Sequence, residues 1–195
     1  MNRAPLRTAG IVLAAGQSRR MGENKLLLPL EGEALVRRAC RRALAAGLDP
    51  LIVVLGHESE RVQRALAGVE CHCVIVPQPG GDMSRSLHCG LLSVPPDAAA
   101  LIVMLADMVH VSEQMVQALR DAARGSAAPL ICSRYGETIA PPVLFRRVLF
   151  RELMASAGEG CGKSVIERHR DEALYIDWPV AALTDVDTPE EFAAL

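Results

Sequence analysis

Aromatic side chains are scarce. One Trp, two Tyr and three Phe in 195 residues are too few for a platform that stacks successive bases of a single strand. Neither sign of charge dominates. Lys and Arg number 21 against 23 Asp and Glu, a net charge of −2, which gives no general electrostatic case for nucleic acid or an anionic membrane. Long apolar runs are missing. Runs such as Leu101-Ile102-Val103-Met104-Leu105-Ala106 fall far short of the ~20 residues that span a bilayer. Residues 1–8 are polar and basic, and 11–15 runs straight into Gly16-Gln17-Ser18-Arg19-Arg20, too short for a signal-peptide core. A cytoplasmic chain is therefore expected, with its six cysteines as free thiols. No second pair sits at zinc-finger spacing. The cluster Cys71-His72-Cys73 suits a strand with both sulfurs on one face better than a metal site.

What is present is half hydrophobic and 23% charged, a globular composition. The length suits one domain over residues 1–195, burying roughly 70% of its unfolded surface without disulfide or structural metal. Short apolar runs at 8–14, 51–55, 73–76 and 101–105 read as buried strands, with a further strand at 130–133. Helical patterns lie between them, at 33–46, 59–67, 84–92 and 112–124. Ser59 and Ser112 are placed to cap two of these helices. Residues 190–195 read as a closing helix with Pro189 at its first turn. In the first helix Arg37, Arg38, Arg41 and Arg42 share a face expected to be solvated. The less regular stretch 135–177 predicts an antiparallel excursion with helices at 149–157 and 163–169. The alternation implies an α/β fold, a mostly parallel sheet with helices on both faces.

In such sheets ligands bind beyond the carboxyl ends of the strands. After the first strand come Ala14, Ala15 and Gly16, small residues that let backbone N–H groups approach a polyphosphate, then Arg19, Arg20 and Lys25 as fixed positive charge. The loop is neither a Walker A nor a dinucleotide fingerprint; a solvated basic turn is the bland alternative to a phosphate cradle. Asp107 follows the 101–105 strand, placed either to hold Mg²⁺ on a triphosphate or simply to cap a turn. Asp185 and Asp187 form a second acidic group that could point one way along an extended segment. Asp187 could equally cap the last helix.

The motif Leu13-Ala14-Ala15-Gly16-x-Ser18-x-Arg20-Met21-Gly22-x-x-Lys25-x-Leu27-Leu28-Pro29 closely resembles the signature of MobA-like nucleotidyltransferases, nearest to the molybdenum cofactor cytidylyltransferase branch. The resemblance continues through Met83-Ser84-x-Ser86-Leu87, Leu105-Ala106-Asp107-Met108 and Asp185-Val186-Asp187-Thr188-Pro189. It implies a three-layer Rossmann-like nucleotidyltransferase fold. It also implies transfer of NMP from an NTP to a phosphorylated acceptor, with pyrophosphate released. Leu13, Ala14, Ala15, Gly16, Ser18, Arg19, Lys25, Ser84 and Ser86 would hold the nucleotide. Lys25, Arg20 and Asp107 would be catalytic, and Asp107 and Asp187 would bind Mg²⁺. Ala15 favours CTP over GTP, because guanylyl-transferring relatives usually carry Gly there.

The resemblance further implies a molybdopterin-type acceptor, held in part by Pro141, Gly160 and Lys163, and a molybdenum hydroxylase that receives the product. The chain departs from the family pattern at Asp82, at Val109 and at Ile139-Ala140-Pro141-Pro142, the last toward the family's acceptor side. Three rivals stand beside this reading. Gly158 to Ser164 falls one residue short of a P-loop, though it follows a helical pattern rather than a buried strand. The acceptor could be a sugar phosphate. The chain could be a nucleotide-binding or chaperone-like protein that has lost transfer.

Overall fold

The computed structural model describes residues 6–77, 83–156 and 162–194. The chain runs β1 (Thr8–Ala14), β2 (Pro29–Leu30), β3 (Glu33–Ala34), α1 (Leu35–Ala45), β4 (Leu51–Leu55), α2 (Ser59–Ala65), β5 (His72–Ile75) and α3 (Met83–Leu91). It continues β6 (Ala100–Leu105), α4 (Glu113–Gly125), β7 (Leu130–Tyr135), β8 (Thr138–Arg146), α5 (Phe150–Ala155), α6 (Lys163–Arg168), β9 (Leu174–Trp178) and α7 (Pro189–Ala193). Seven strands form one sheet in the order β5-β4-β1-β6-β8-β7-β9. Only β8 runs against its neighbours, antiparallel to both β6 and β7; the other pairings are parallel. It is the expected antiparallel excursion.

The two faces of β1 show how the sheet is covered. Successive strand side chains point to opposite faces. Val12 and Ala14 pack into a core with Val36, Cys40, Val62, Met115 and Leu119 from α1, α2 and α4. Ile11 and Leu13 pack into a second core with Leu87, Leu91, Leu153 and Val165 from α3, α5 and α6. Every residue of β1 and β4 is buried, which is why both read as continuous apolar runs.

Element boundaries moved where context overrode propensity. Glu33 and Ala34 pair with Leu30 and Pro29, so α1 begins at Leu35 and not at 33. Ser59 does not cap α2: the N-cap is Glu58, in the left-handed region at φ 52° without a side-chain cap. Ser112 does cap α4, accepting from the Met115 amide. The edge strand β5 lies one residue earlier than expected, although the Val76 amide still donates to the Leu55 carbonyl. Cys71 and Cys73 pack against the same core, as alternation along the strand required.

The arginine face of α1 is not simply solvated. Arg37 donates to the Ala65 and Ala67 carbonyls, Arg38 pairs with Glu31 and Arg41 with Glu33. Arg42 donates to the carbonyls of Val109, at 2.6 Å, and Val111, at 2.8 Å. Only Arg41 is mostly exposed among the three whose side-chain exposure enters an ion pair. Neighbouring loops offer unpaired carbonyls to these long cations, and a charge-assisted hydrogen bond outweighs free solvation there.

Candidate active site

The candidate groups gather at the carboxyl ends of β1 and β6. Ala14 ends β1 and Asp107 follows β6 two residues on. Parallel pairing of these strands, with Leu13 opposite Leu105, brings the two loops side by side. The loop from Ala15 to Lys25 is held by its own turns. Ser18 sits at φ 50°, and its hydroxyl accepts the Lys25 amide at 3.1 Å. The Asn24 side chain accepts the Leu26 amide, capping the short turn Lys25–Leu27. Gly16 is exposed, with open space on its Cβ side.

Lys25 is the centre of the site. Its ammonium lies 2.6 Å from Asp107 Oδ2 and 2.6 Å from Asp187 Oδ1, and its side chain is 9% exposed. Arg20 pairs with the other oxygen of Asp187. Burial works against the Lys25 charge, but Asp107 and Asp187 outweigh it and hold the ammonium above its ordinary pKa. Burial also opposes charge on Asp187; the hydrogen bond from Lys25, its charge and that of Arg20 win, and keep the carboxyl below the usual range.

Asp187 reaches Lys25 because other residues fix its segment. Thr188, not Asp187, caps α7: its side chain accepts the Glu191 amide, and Glu191 reaches back to the Thr188 amide. Val186 is fully buried with Met21, Leu35 and Val109, an apolar cluster joining the first loop, α1 and the segment after Asp107. Asp185 is exposed, whereas Asp187 is half-buried against Lys25. A buried Val between them anchors the chain and leaves Asp187 facing Lys25.

A cleft of about 370 Å³ opens beside this cluster, lined by Leu13, Ala15, Gly16, Gln17, Ser18, Arg19, Met83, Ser86, Leu105 and Asp107. Most of the expected nucleotide residues are therefore brought together. Ala14 and Ser84 are buried and absent from its lining; Ala14 packs into the core beneath. Lys25, Arg20 and Asp187 do not line it; Lys25 joins it through Asp107, and Asp187 links Lys25 to Arg20. Sequence reasoning did not single out Gln17, Met83 or Leu105 as lining. Gly56 was also missed as a wall of the loop: a Cβ there would lie 2.6 Å from the Ala15 carbonyl oxygen.

A second cleft, about 600 Å³, is lined by Val103, Ile139, Pro141, Lys163 and Arg170, among others. It brings together Pro141 and Lys163; Gly160 and Asp82 lie outside the described residues. Val103 and Leu105 are two apart on β6, so both face the same side, about 7 Å apart. Each lines one cleft, making the clefts neighbours. The Tyr135 hydroxyl donates to the Pro141 carbonyl and the Ser133 hydroxyl to that of Pro142, fixing one wall.

A divalent cation suits the acidic pair. Asp107 and Asp187 supply hard carboxylate oxygens that already converge on one positive charge. No cluster of three or more His, Cys, Asp or Glu suited to a metal exists among the described residues. A magnesium-like ion needs only one or two carboxylates, with waters and substrate phosphates completing its shell.

Residues 10–173 match the family model of the MobA-like NTP transferase domain. The chain is 28% identical over 195 aligned residues to the purine catabolism protein PucB of Bacillus subtilis, covering 94% of this chain and 93% of that one. It is 35% identical over 149 residues to the bifunctional protein GlmU of Kineococcus radiotolerans, covering 72% of this chain but 29% of that one. Among solved structures, Rv0371c of Mycobacterium tuberculosis superposes with a TM-score of 0.86 at 28% identity, covering 98% of each chain. The same protein has also been solved as a complex with manganese, which superposes at 0.78 and 28% identity over 97% of each chain.

Proposed function

The chain belongs to the MobA-like NTP transferase domain family, and from that premise we propose that it transfers CMP from CTP to a phosphorylated acceptor of the molybdopterin type, with Mg²⁺. The observation that carries this reading is the ammonium of Lys25 held between Asp107 and Asp187 behind a small-residue loop. Nucleotidyl transfer needs positioning and charge neutralisation more than a protein nucleophile. The acceptor's terminal phosphate is already ionised near neutral pH. Its oxygen forms a bond to the α-phosphorus as the bond from that phosphorus to the bridging oxygen breaks. Pyrophosphate leaves with the electron pair, and no histidine base is needed.

Loop residues Ala15 to Arg19 bind the nucleotide in the smaller cleft, with Ser86 and Met83 across from them. Lys25 and Arg20 neutralise phosphate charge as it shifts toward the leaving group. Asp107 and Asp187 would hold the metal, which when bound supplies Lewis-acid polarisation of the phosphates. The neighbouring cleft, with Lys163 at its rim and an apolar wall of Val103, Ile139 and Ile166, takes the acceptor. This reading takes small-molecule substrates with no nucleic acid or membrane partner in a cytoplasmic setting, and the family resemblance suggests a molybdenum hydroxylase as recipient of the product. No helix among the described residues is long and apolar enough to cross a membrane.

A second reading keeps the chemistry and changes the acceptor. The similarity to PucB runs nearly end to end, and a sugar phosphate or another small phosphorylated acceptor would enter the same cleft. Pyrophosphate release measured for CTP, GTP, ATP and UTP against each acceptor class tests both. CTP with the molybdenum cofactor, and a mass gain of one CMP on it, is the expected result. Transfer only to a sugar phosphate supports the second reading. Nucleotide binding without turnover on any acceptor overturns both.

A further inference from the structure

The Lys25 ammonium stands where a cation shared by Asp107 and Asp187 would stand. It is within 2.6 Å of one oxygen of each, nearly buried, and Arg20 takes a further oxygen of Asp187. Both carboxylates are thus neutralised by the chain itself. Two acids this close would otherwise repel each other and attract any divalent ion in solution.

We propose that Lys25, supported by Arg20, is a built-in counter-cation that keeps a divalent ion off Asp107 and Asp187 until a polyphosphate draws the two basic side chains away. This rests on the nucleotidyltransferase reading, and goes beyond it by making metal and nucleotide binding interdependent. The physical reason is competition for the same oxygens. A metal arriving alone must displace an ammonium that has poor access to water and already pairs with both acids. A metal arriving with phosphates finds that ammonium offered new anionic partners. The apolar cluster of Met21, Leu35, Val109 and Val186 beneath the acids holds their backbone in place, so the exchange needs side-chain movement only.

The test is Mn²⁺ binding to the full chain without nucleotide, followed by the loss of the free-ion paramagnetic resonance signal. It compares the wild type with Lys25→Met and with Lys25→Met/Asp107→Asn. Removing the competing ammonium should tighten Mn²⁺ binding roughly tenfold or more, and the double variant should lose that gain. If Lys25→Met is too unstable to titrate, Lys25→Gln takes its place. In either variant Mn²⁺ should then raise Tm by more than it does in the wild type. Mn²⁺ binding by the single Lys25 variant that is equal to or weaker than wild type overturns the counter-cation role. The transferase reading is judged separately by CTP binding and turnover of the wild type, so either idea can fail while the other stands.

Discussion

Lys25 stays charged in a nearly buried position because of its environment. Two carboxylates 2.6 Å away more than offset the desolvation that would neutralise it. Lys25→Ala is expected to lower kcat/KM by about 10²–10³-fold, measured as pyrophosphate release, with the fold retained by circular dichroism. The same ion pairs set a pH dependence of stability. The Asp187 carboxyl lies below its ordinary 3.8, so its contribution is present above that value and is lost as pH falls through the lowered one. The Lys25 ammonium lies above its ordinary 10.5, so its contribution is present below that value and is lost as pH rises through the raised one. Tm should change little from these two groups between about pH 5 and 9 and fall toward strong acid. Asp187→Asn should flatten the acid limb; an acid limb identical to wild type would remove Asp187 from the account.

Neighbouring elements set where these side chains meet. β4 leads into Gly56 against the loop that begins at Ala15, where an added Cβ would sit 2.6 Å from the Ala15 carbonyl oxygen and 2.9 Å from its Cα. Both atoms are backbone or fixed to it, so the loop must shift. Gly56→Ala should cost about 1–3 kcal/mol in stability and raise KM for the nucleotide more than it lowers kcat. An unchanged KM would mean the loop's position does not matter to binding. On the opposite side, α1 reaches the segment after Asp107 through Arg42, whose guanidinium holds the Val109 and Val111 carbonyls. Arg42→Met keeps much of the packing and strands both carbonyls. It should destabilise by about 1–3 kcal/mol in urea unfolding and reduce turnover through a looser Asp107. Full activity with reduced stability would show that Arg42 supports the fold alone.

Over the whole molecule, legibility followed burial. β1 and β4 are wholly buried and their limits were readable to the residue, because nothing but apolar side chains fits between two helical layers. The half-exposed edge strand β5 and the start of α1 were displaced by one or two residues, β5 by pairing with β4 and α1 by the short hairpin of β2 with β3. In the site, the proximity of Lys25, Asp107 and the loop was readable because residues that follow paired parallel strands collect at one edge of the sheet. The division of labour between Asp185 and Asp187 was not, because it depends on Val186 packing against Met21 and Leu35, far away in sequence. Gly56 and Arg42 stayed hidden for the same reason: each acts on a loop that only the fold brings near. The arginine face of α1 was misjudged because pattern alone cannot show which carbonyls lie within reach.

The measurement that bears most directly on the whole account is a crystal structure of the protein with Mg²⁺ and a non-hydrolysable CTP analogue. The expected density places the triphosphate along the loop from Ala15 to Lys25 and the ion between Asp107 and Asp187. A nucleotide seated in any other cleft, or an ion bound away from both acids, would contradict it.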